Sequence, residues 1–287
     1  MSRHSRVLWQ GSQMVLGRFR VVPTDRDFCD AGEIGGRPEI AFPRLPVVIH
    51  QEGAAPFVAD PTLAVLYNPY QGFRRGELGD AGDHSEWLSV EPALLYEANP
   101  RLSETDERPF HRTHTRVDAA AFVLVRRVAH EVASGTADPL WVEESLVHVL
   151  ASCFDTRAQS GSPGARGTAR QREWAFEAKA ILVTRLGEKL TLTEIARRLG
   201  VSPYYLCRSF LAASGETLHA YRTEMRLRTA LVRVLERAGD LTDIALDLGF
   251  ASHSHFTAAF RRRFRTPPSR LRGEPRRVAT PPRPSPR

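Results

Sequence analysis

Three kinds of residue or run are scarce in this sequence, and each scarcity closes off a class of protein. It has 3 cysteines, Cys29, Cys153 and Cys207, far apart and with no CxxC pair. A disulfide-stapled scaffold is not expected, and a reducing cytoplasm is the default compartment. Long apolar runs are missing too. The longest uninterrupted one covers residues 119–125, too short to span a bilayer, and residues 1–10 lack the hydrophobic core of a secretory signal. A soluble protein with no membrane partner is the expectation. Lysine is nearly absent, with Lys179 and Lys189 alone among 40 Lys+Arg. The planar fork of the remaining arginines suits phosphate, although a GC-rich genome produces the same bias.

What is present is ordinary globular material. The 287 residues are 42% hydrophobic, 25% charged and 8% aromatic, which argues against wholesale disorder and fibrous repeats. The length suits one large domain or two ordinary ones. The net charge of +7 is unevenly spread: residues 1–160 hold 16 basic and 22 acidic side chains, residues 161–287 hold 24 and 11. An acidic half joined to a basic half points to two domains with different partners. A positive surface gains affinity for a polyanion by releasing counterions from phosphates.

Short apolar runs at residues 7–9, 14–22, 45–51, 63–67 and 86–90 read as strands separated by turns at Gly35-Gly36, Asn68-Pro69 and residues 79–82. Many strands without intervening helices suggest an antiparallel sandwich or barrel. Helical spacing follows, with Phe122, Val125, Ala129 and Val132 ended by Gly135, and then Leu146, Val149, Leu150 and Phe154. These make a helical hairpin. The expected organisation is an N-terminal domain over 1–158, a flexible linker over 159–170 (containing QSGSPGARG), a helical domain over 171–272 and a disordered Pro/Arg-rich tail over 273–287.

The basic half repeats itself. T-L-T-E-I-A-R-R-L-G at 191–200 aligns with D-L-T-D-I-A-L-D-L-G at 240–249, and one residue further apart Ser202 matches Ser252, Leu206 matches Phe256 and Phe210 matches Phe260. Thr191 with Glu194 forms a capping-box pattern and Asp240 with Asp243 a weaker one. Ile195, Ala196 and Leu199, like Ile244, Ala245 and Leu248, form a buried stripe. Gly200 and Gly249 end the short helices in the left-handed conformation that glycine adopts cheaply. Ser202 and Ser252 cap the next helices, and Pro203 suits a first helical position. Two helix-turn-helix units result, each able to place its second helix in a major groove. Residues 217–236 read as one helix of about 30 Å. That length brings the two units close to successive grooves on one face of DNA, with some bending of the duplex.

Residues 171–272 resemble the AraC/XylS-type transcription regulators. The likeness lies in I-A-x-x-L-G-x-S-P-x-x-L-x-R-x-F at 195–210, in Gly215, Tyr221, Arg226-Leu227 and Ala230, and above all in the run from Ile244 through Gly249-Phe250, Ser254, Phe256, Phe260 and Phe264 to Pro268-Ser269 and Arg272. Arg265 departs from it, standing where the family has glycine. The resemblance implies seven helices with two helix-turn-helix motifs. It also implies base-reading roles for Tyr204, Cys207 and Arg208 on the first recognition helix and for His253, Ser254 and Thr257 on the second. The fork of Arg208 fits guanine O6 and N7, or it touches phosphate or an acidic neighbour. Cys207 contacts a thymine methyl or merely fills space. Arg261, Arg262 and Arg263 contact phosphates or form a solvated basic face. His253 and His255, one residue apart on a helix, do not share a face and are not read as metal ligands.

In the acidic half, A-F-P-R-L-P at 41–46, V-A-D-P at 58–61, Asn68-Pro69 and Gly82-Asp83 resemble the cupin-like sensory domain of some AraC-type regulators, which binds small effectors or pairs subunits. No paired-histidine cupin metal signature is present; His50, His84, His111 and His114 are scattered, and Asp83-His84-Ser85 cannot adopt triad geometry as consecutive residues. The fold expected is α+β, a cupin-like or jelly-roll antiparallel domain with a helical hairpin followed by an all-α domain. The function expected is transcription regulation, with double-stranded DNA, a small-molecule effector, a second copy of the chain and RNA polymerase as partners and neither cofactor nor metal. A cupin-type metal-dependent enzyme with a DNA-binding appendage and a non-specific architectural DNA binder are the competing classes.

Overall fold

A computed structural model describes residues 4–80, 82–102, 106–154 and 167–272. Most of the expected linker and the whole expected tail lie outside the described residues. The N-terminal half opens with β1 (Ser5–Gln10), β2 (Met14–Val21), β3 (Gly32–Glu33), β4 (Glu39–Pro43), β5 (Val47–Gln51) and β6 (Phe57–Ala59). It continues with β7 (Leu63–Tyr67), β8 (Gly72–Gly76), β9 (Asp83–Val90), helix α1 (Pro92–Ala98) and β10 (His114–Arg116). Two antiparallel sheets form, ordered β1-β2-β9-β4-β7-β10 and β3-β8-β5-β6. This is the expected antiparallel sandwich, with β3, β4, β6, β8, β10 and α1 added to the strands read from sequence.

Strand periodicity sorts the side chains of the larger sheet. Leu16, Ile40, Phe42, Leu66 and Leu88 point to one face, while Val21, Val65 and Tyr67 point to the other, where they meet Val47 and Ile49 of the smaller sheet. The first face is covered by the hairpin α2 (Ala119–Ala133) and α3 (Pro139–Ser152). Asp118 and Asp138 cap these helices by accepting from Ala121 N at 2.7 Å and Trp141 N at 3.0 Å. Gly135 ends the first at φ +69°.

Seven helices follow: α4 (Ala169–Thr184), α5 (Leu192–Arg198), α6 (Pro203–Ser214), α7 (Leu218–Leu235), α8 (Leu241–Asp247), α9 (His253–Phe264) and α10 (Pro268–Leu271). The first begins two residues before the expected boundary, because Thr168 and Gln171 form a reciprocal capping box. The two halves do not have separate interiors. One apolar cluster joins Leu88, Phe122 and Val125 to Leu231, Ile244, Phe256 and Phe260, so the hairpin is sandwiched between the sheet and the second helix-turn-helix unit.

Polar bonds cross the same boundary. Buried Arg228 of α7 donates to Pro61 O at 2.8 Å and Val117 O at 2.7 Å, and its guanidinium lies 4.7 Å from the Phe122 ring centroid. Arg116 donates to Ser214 O at 2.9 Å and to Glu216. Arg44 pairs with Glu236 at 2.5 Å and with Glu86 at 3.2 Å. The fully buried Glu86 also pairs with Arg18 and Arg126.

Candidate nucleic-acid interface

Each half of the repeat folds as its capping residues dictate. Thr191 accepts from Glu194 N, and the Glu194 carboxylate accepts from Thr191 N at 2.7 Å, a complete capping box. Those hydrogen bonds hold the exposed Glu194 carboxyl below its ordinary range. Asp240 instead accepts from Thr242 N at 2.7 Å, so Asp243 closes no box. Gly200 and Gly249 turn the chain at φ +65° and +73°. Ser202 and Ser252 then start α6 and α9 by accepting from Tyr205 N and His255 N. Leu206 and Phe210 bury one edge of α6, Phe256 and Phe260 one edge of α9. Each phenylalanine removed from water contributes about 1.5–3 kcal/mol.

The opposite faces are open. On α6, Tyr204, Cys207 and Arg208 are all exposed; Arg208 donates to the Tyr204 hydroxyl at 3.3 Å with its guanidinium 5.7 Å from the Tyr204 ring centroid. On α9, His253, Ser254, Arg261 and Arg262 are exposed. Two sequence candidates are less available. Thr257 is half-buried and its Oγ1 is shielded from solvent. Arg263 donates to both oxygens of Glu224 at 2.5 and 2.6 Å, which ties it to α7 instead of leaving it free for phosphate; the spacing of three consecutive arginines could not reveal a partner 39 residues away.

Sequence reasoning passed over Tyr205, which is 59% exposed. Its ring sits edge-on to Trp174 of α4 at 6.4 Å, and Arg170 lies over Trp174 at 5.1 Å. Arginine and tryptophan four residues apart on a helix were the available signal.

The two units are fixed relative to each other. α7 has 18 residues, about 27 Å of helix. Its Arg222 and Arg226 donate to carbonyls of the loop after α4, Arg226 Nε reaching Leu186 O at 2.8 Å. That loop presses on the turn of the second unit. A Cβ on Gly187 would lie 2.1 Å from Asp247 O, and one on Gly249 would lie 2.7 Å from Gly187 O. Arg233 pairs with Asp247 at 2.8 Å. After α9 the chain turns through Arg265 at φ +59°. A non-glycine residue therefore adopts the left-handed conformation that the family's glycine adopts freely, at a cost of about 1–2 kcal/mol.

A helix-turn-helix domain family matches residues 195–274. The regulatory protein SoxS of Escherichia coli strain K12 is 34% identical over 87 residues, 30% of this chain and 81% of SoxS. The probable transcription factor PqrA of Proteus vulgaris is 35% identical over 85 residues, 30% of this chain and 70% of PqrA. A solved regulator with an AraC-type DNA-binding domain from Chromobacterium violaceum is 28% identical, with 37% of this chain aligned to 96% of that one at a TM-score of 0.35.

Proposed function

The chain belongs to the AraC/XylS-type family of helix-turn-helix transcription regulators, and we propose that it reads two adjacent major-groove segments of one duplex with α6 and α9. The observation that carries this reading is the pair of capped units, each exposing its second helix, joined by α7, with the loop after α4 pressed on the turn of the second unit at Gly187 and Gly249. Arg208, supported by Tyr204, grips guanine in a bidentate way, and Cys207 lies against the neighbouring base. His253, Ser254 and the edge of Thr257 read the second segment. Arg261 and Arg262 contact phosphates, which position the protein without specifying sequence.

Regulation enters through the N-terminal domain. Its loops grip α7 through Arg228 and Tyr221, so a small effector that shifts the sheets changes the presentation of both readers. By linkage, DNA changes effector affinity by the same factor. The cytoplasm is the compartment this role requires, RNA polymerase is the machinery it acts on, and a second copy would double the number of segments read.

Selection of duplexes from a random library by the full chain tests the reading. A selected site should bind about 1000-fold more tightly than random duplex at one salt concentration. A ratio near one would leave a non-specific architectural binder.

A further inference from the structure

The two sheets enclose a cavity of about 700 Å³, within the size range of small-molecule sites. Its lining follows from strand alternation. While Leu16, Ile40, Leu66 and Leu88 face the helices, Phe19, Glu39, Tyr67, Asp83 and Trp87 face the cavity, and Phe73 and Arg75 enter from β8. Gly17 leaves room for the indole opposite, since a Cβ there would lie 2.1 Å from Trp87.

The cavity is acidic, and its cations are already engaged. Asp27, Asp30, Glu33, Glu39 and Asp83 line it against Arg75 and His4. Arg75 donates to Asp83 at 2.7 Å, and Ser85 donates to the other Asp83 oxygen at 2.6 Å. His4 is bonded to Asp27 at 2.9 Å. Glu39 is half-buried at the cavity wall, and its carboxylate makes no side-chain hydrogen bond or ion pair among the described residues. Burial pushes that carboxyl up to about 7, with the Arg75 charge opposing. The walls accept a cation, because the Arg75 guanidinium sits between the rings of Phe19 and Phe73, 4.2 and 4.8 Å from their centroids.

We propose that this cavity binds a small organic cation, an ammonium, amidinium or guanidinium on an apolar or aromatic body, with the charge held by Glu39. The assignment deepens the effector-controlled reading given above and rests on it. An anionic ligand would add negative charge beside Glu39 and Asp83 while Arg75 is already paired. A neutral ligand would supply no charge to offset the burial that disfavours the ionised Glu39, whereas a cation would. Among the described residues no group of three His, Cys, Asp or Glu side chains is placed to hold a metal ion, and the aromatic rings of Phe19 and Phe73 suit an organic cation.

Calorimetry on the full chain tests this with phenethylamine, benzamidine and agmatine set against neutral 2-phenylethanol and anionic 3-phenylpropanoate. At least one cation should bind about tenfold or more tightly than the neutral and anionic probes. Glu39→Gln, equal in size, should abolish that preference, with its fold checked by thermal melting; Glu39→Asp should retain part of it if Gln disturbs folding. No binding by any of the cations, equal or tighter binding of 2-phenylethanol or 3-phenylpropanoate, displacement of the cation by magnesium, or a preference that survives Glu39→Gln would each overturn the proposal. Affinity for the selected duplex, measured in parallel, separates the two readings. Glu39-dependent cation binding that leaves DNA affinity unchanged keeps the site and removes effector control. An effect of only the neutral or anionic probe on DNA affinity keeps effector control and overturns the cation.

Discussion

The Tyr221 hydroxyl donates to Asp60 Oδ2 at 2.8 Å across 161 residues of sequence, joining α7 to the loop between β6 and β7. Asp60 is fully buried, and its other oxygen accepts from Thr62 N and Thr62 Oγ1. Burial and the neighbouring carboxylate raise the Tyr221 phenol well above its ordinary range, so it stays a donor. Tyr221→Phe deletes one charge-assisted bond and leaves Asp60 Oδ2 without that donor. A loss of about 1.5–3 kcal/mol is expected in urea denaturation. If the sheets act on the readers through this contact, the variant should also show a weaker effect of effector on DNA affinity.

Glu224 gives stability a pH dependence. Burial works to raise its carboxyl, but hydrogen bonds and charge from Arg263 and Arg228 together outweigh it and hold the group below 4.5. A carboxyl depressed on folding contributes stability that is complete above its unfolded value, near 4.5, and disappears as pH falls through the lower folded value. Glu224→Gln should flatten the acid limb of the stability profile, the loss that sets in as pH falls below 4.5. It should also release Arg263, seen as a steeper salt dependence of DNA binding by about one phosphate contact.

Much of the reader was legible in the sequence, because its signals are local. Residues 217–236 gave the long helix to within a residue at each end, and Thr191, Ser202, Asp240 and Ser252 marked their helix starts. The strands that escaped notice lack local contrast. Gly72–Gly76 carries two arginines between glycines, and Glu39–Pro43 ends on a proline. The cavity was not legible at all, since Glu39, Tyr67 and Asp83 meet only through the non-sequential order β9-β4-β7. Nor could sequence show that Arg263 belongs to Glu224, or that α7 is buried against the acidic half.

Gly187 is a positioning residue for the second unit. A Cβ there meets a backbone oxygen, Asp247 O, at 2.1 Å, so Gly187→Ala must push apart the loop after α4 and the turn between α8 and α9. The expected result is a stability loss of about 1–3 kcal/mol. Affinity for a selected two-segment duplex should fall by about tenfold or more, with little change on a duplex carrying only one segment. Equal losses on both would make the contact purely structural.

Guanine N7 methylation interference on a selected duplex, with the full chain and with Arg208→Ala, most directly tests reading by two helices. Two clusters of interfering guanines should lie about one helical turn, roughly 10 base pairs, apart on one face. Arg208→Ala should erase interference within one cluster alone and cost about 1–3 kcal/mol at that base pair. A single cluster, or an Arg208→Ala loss that is the same on selected and random DNA, would contradict the account.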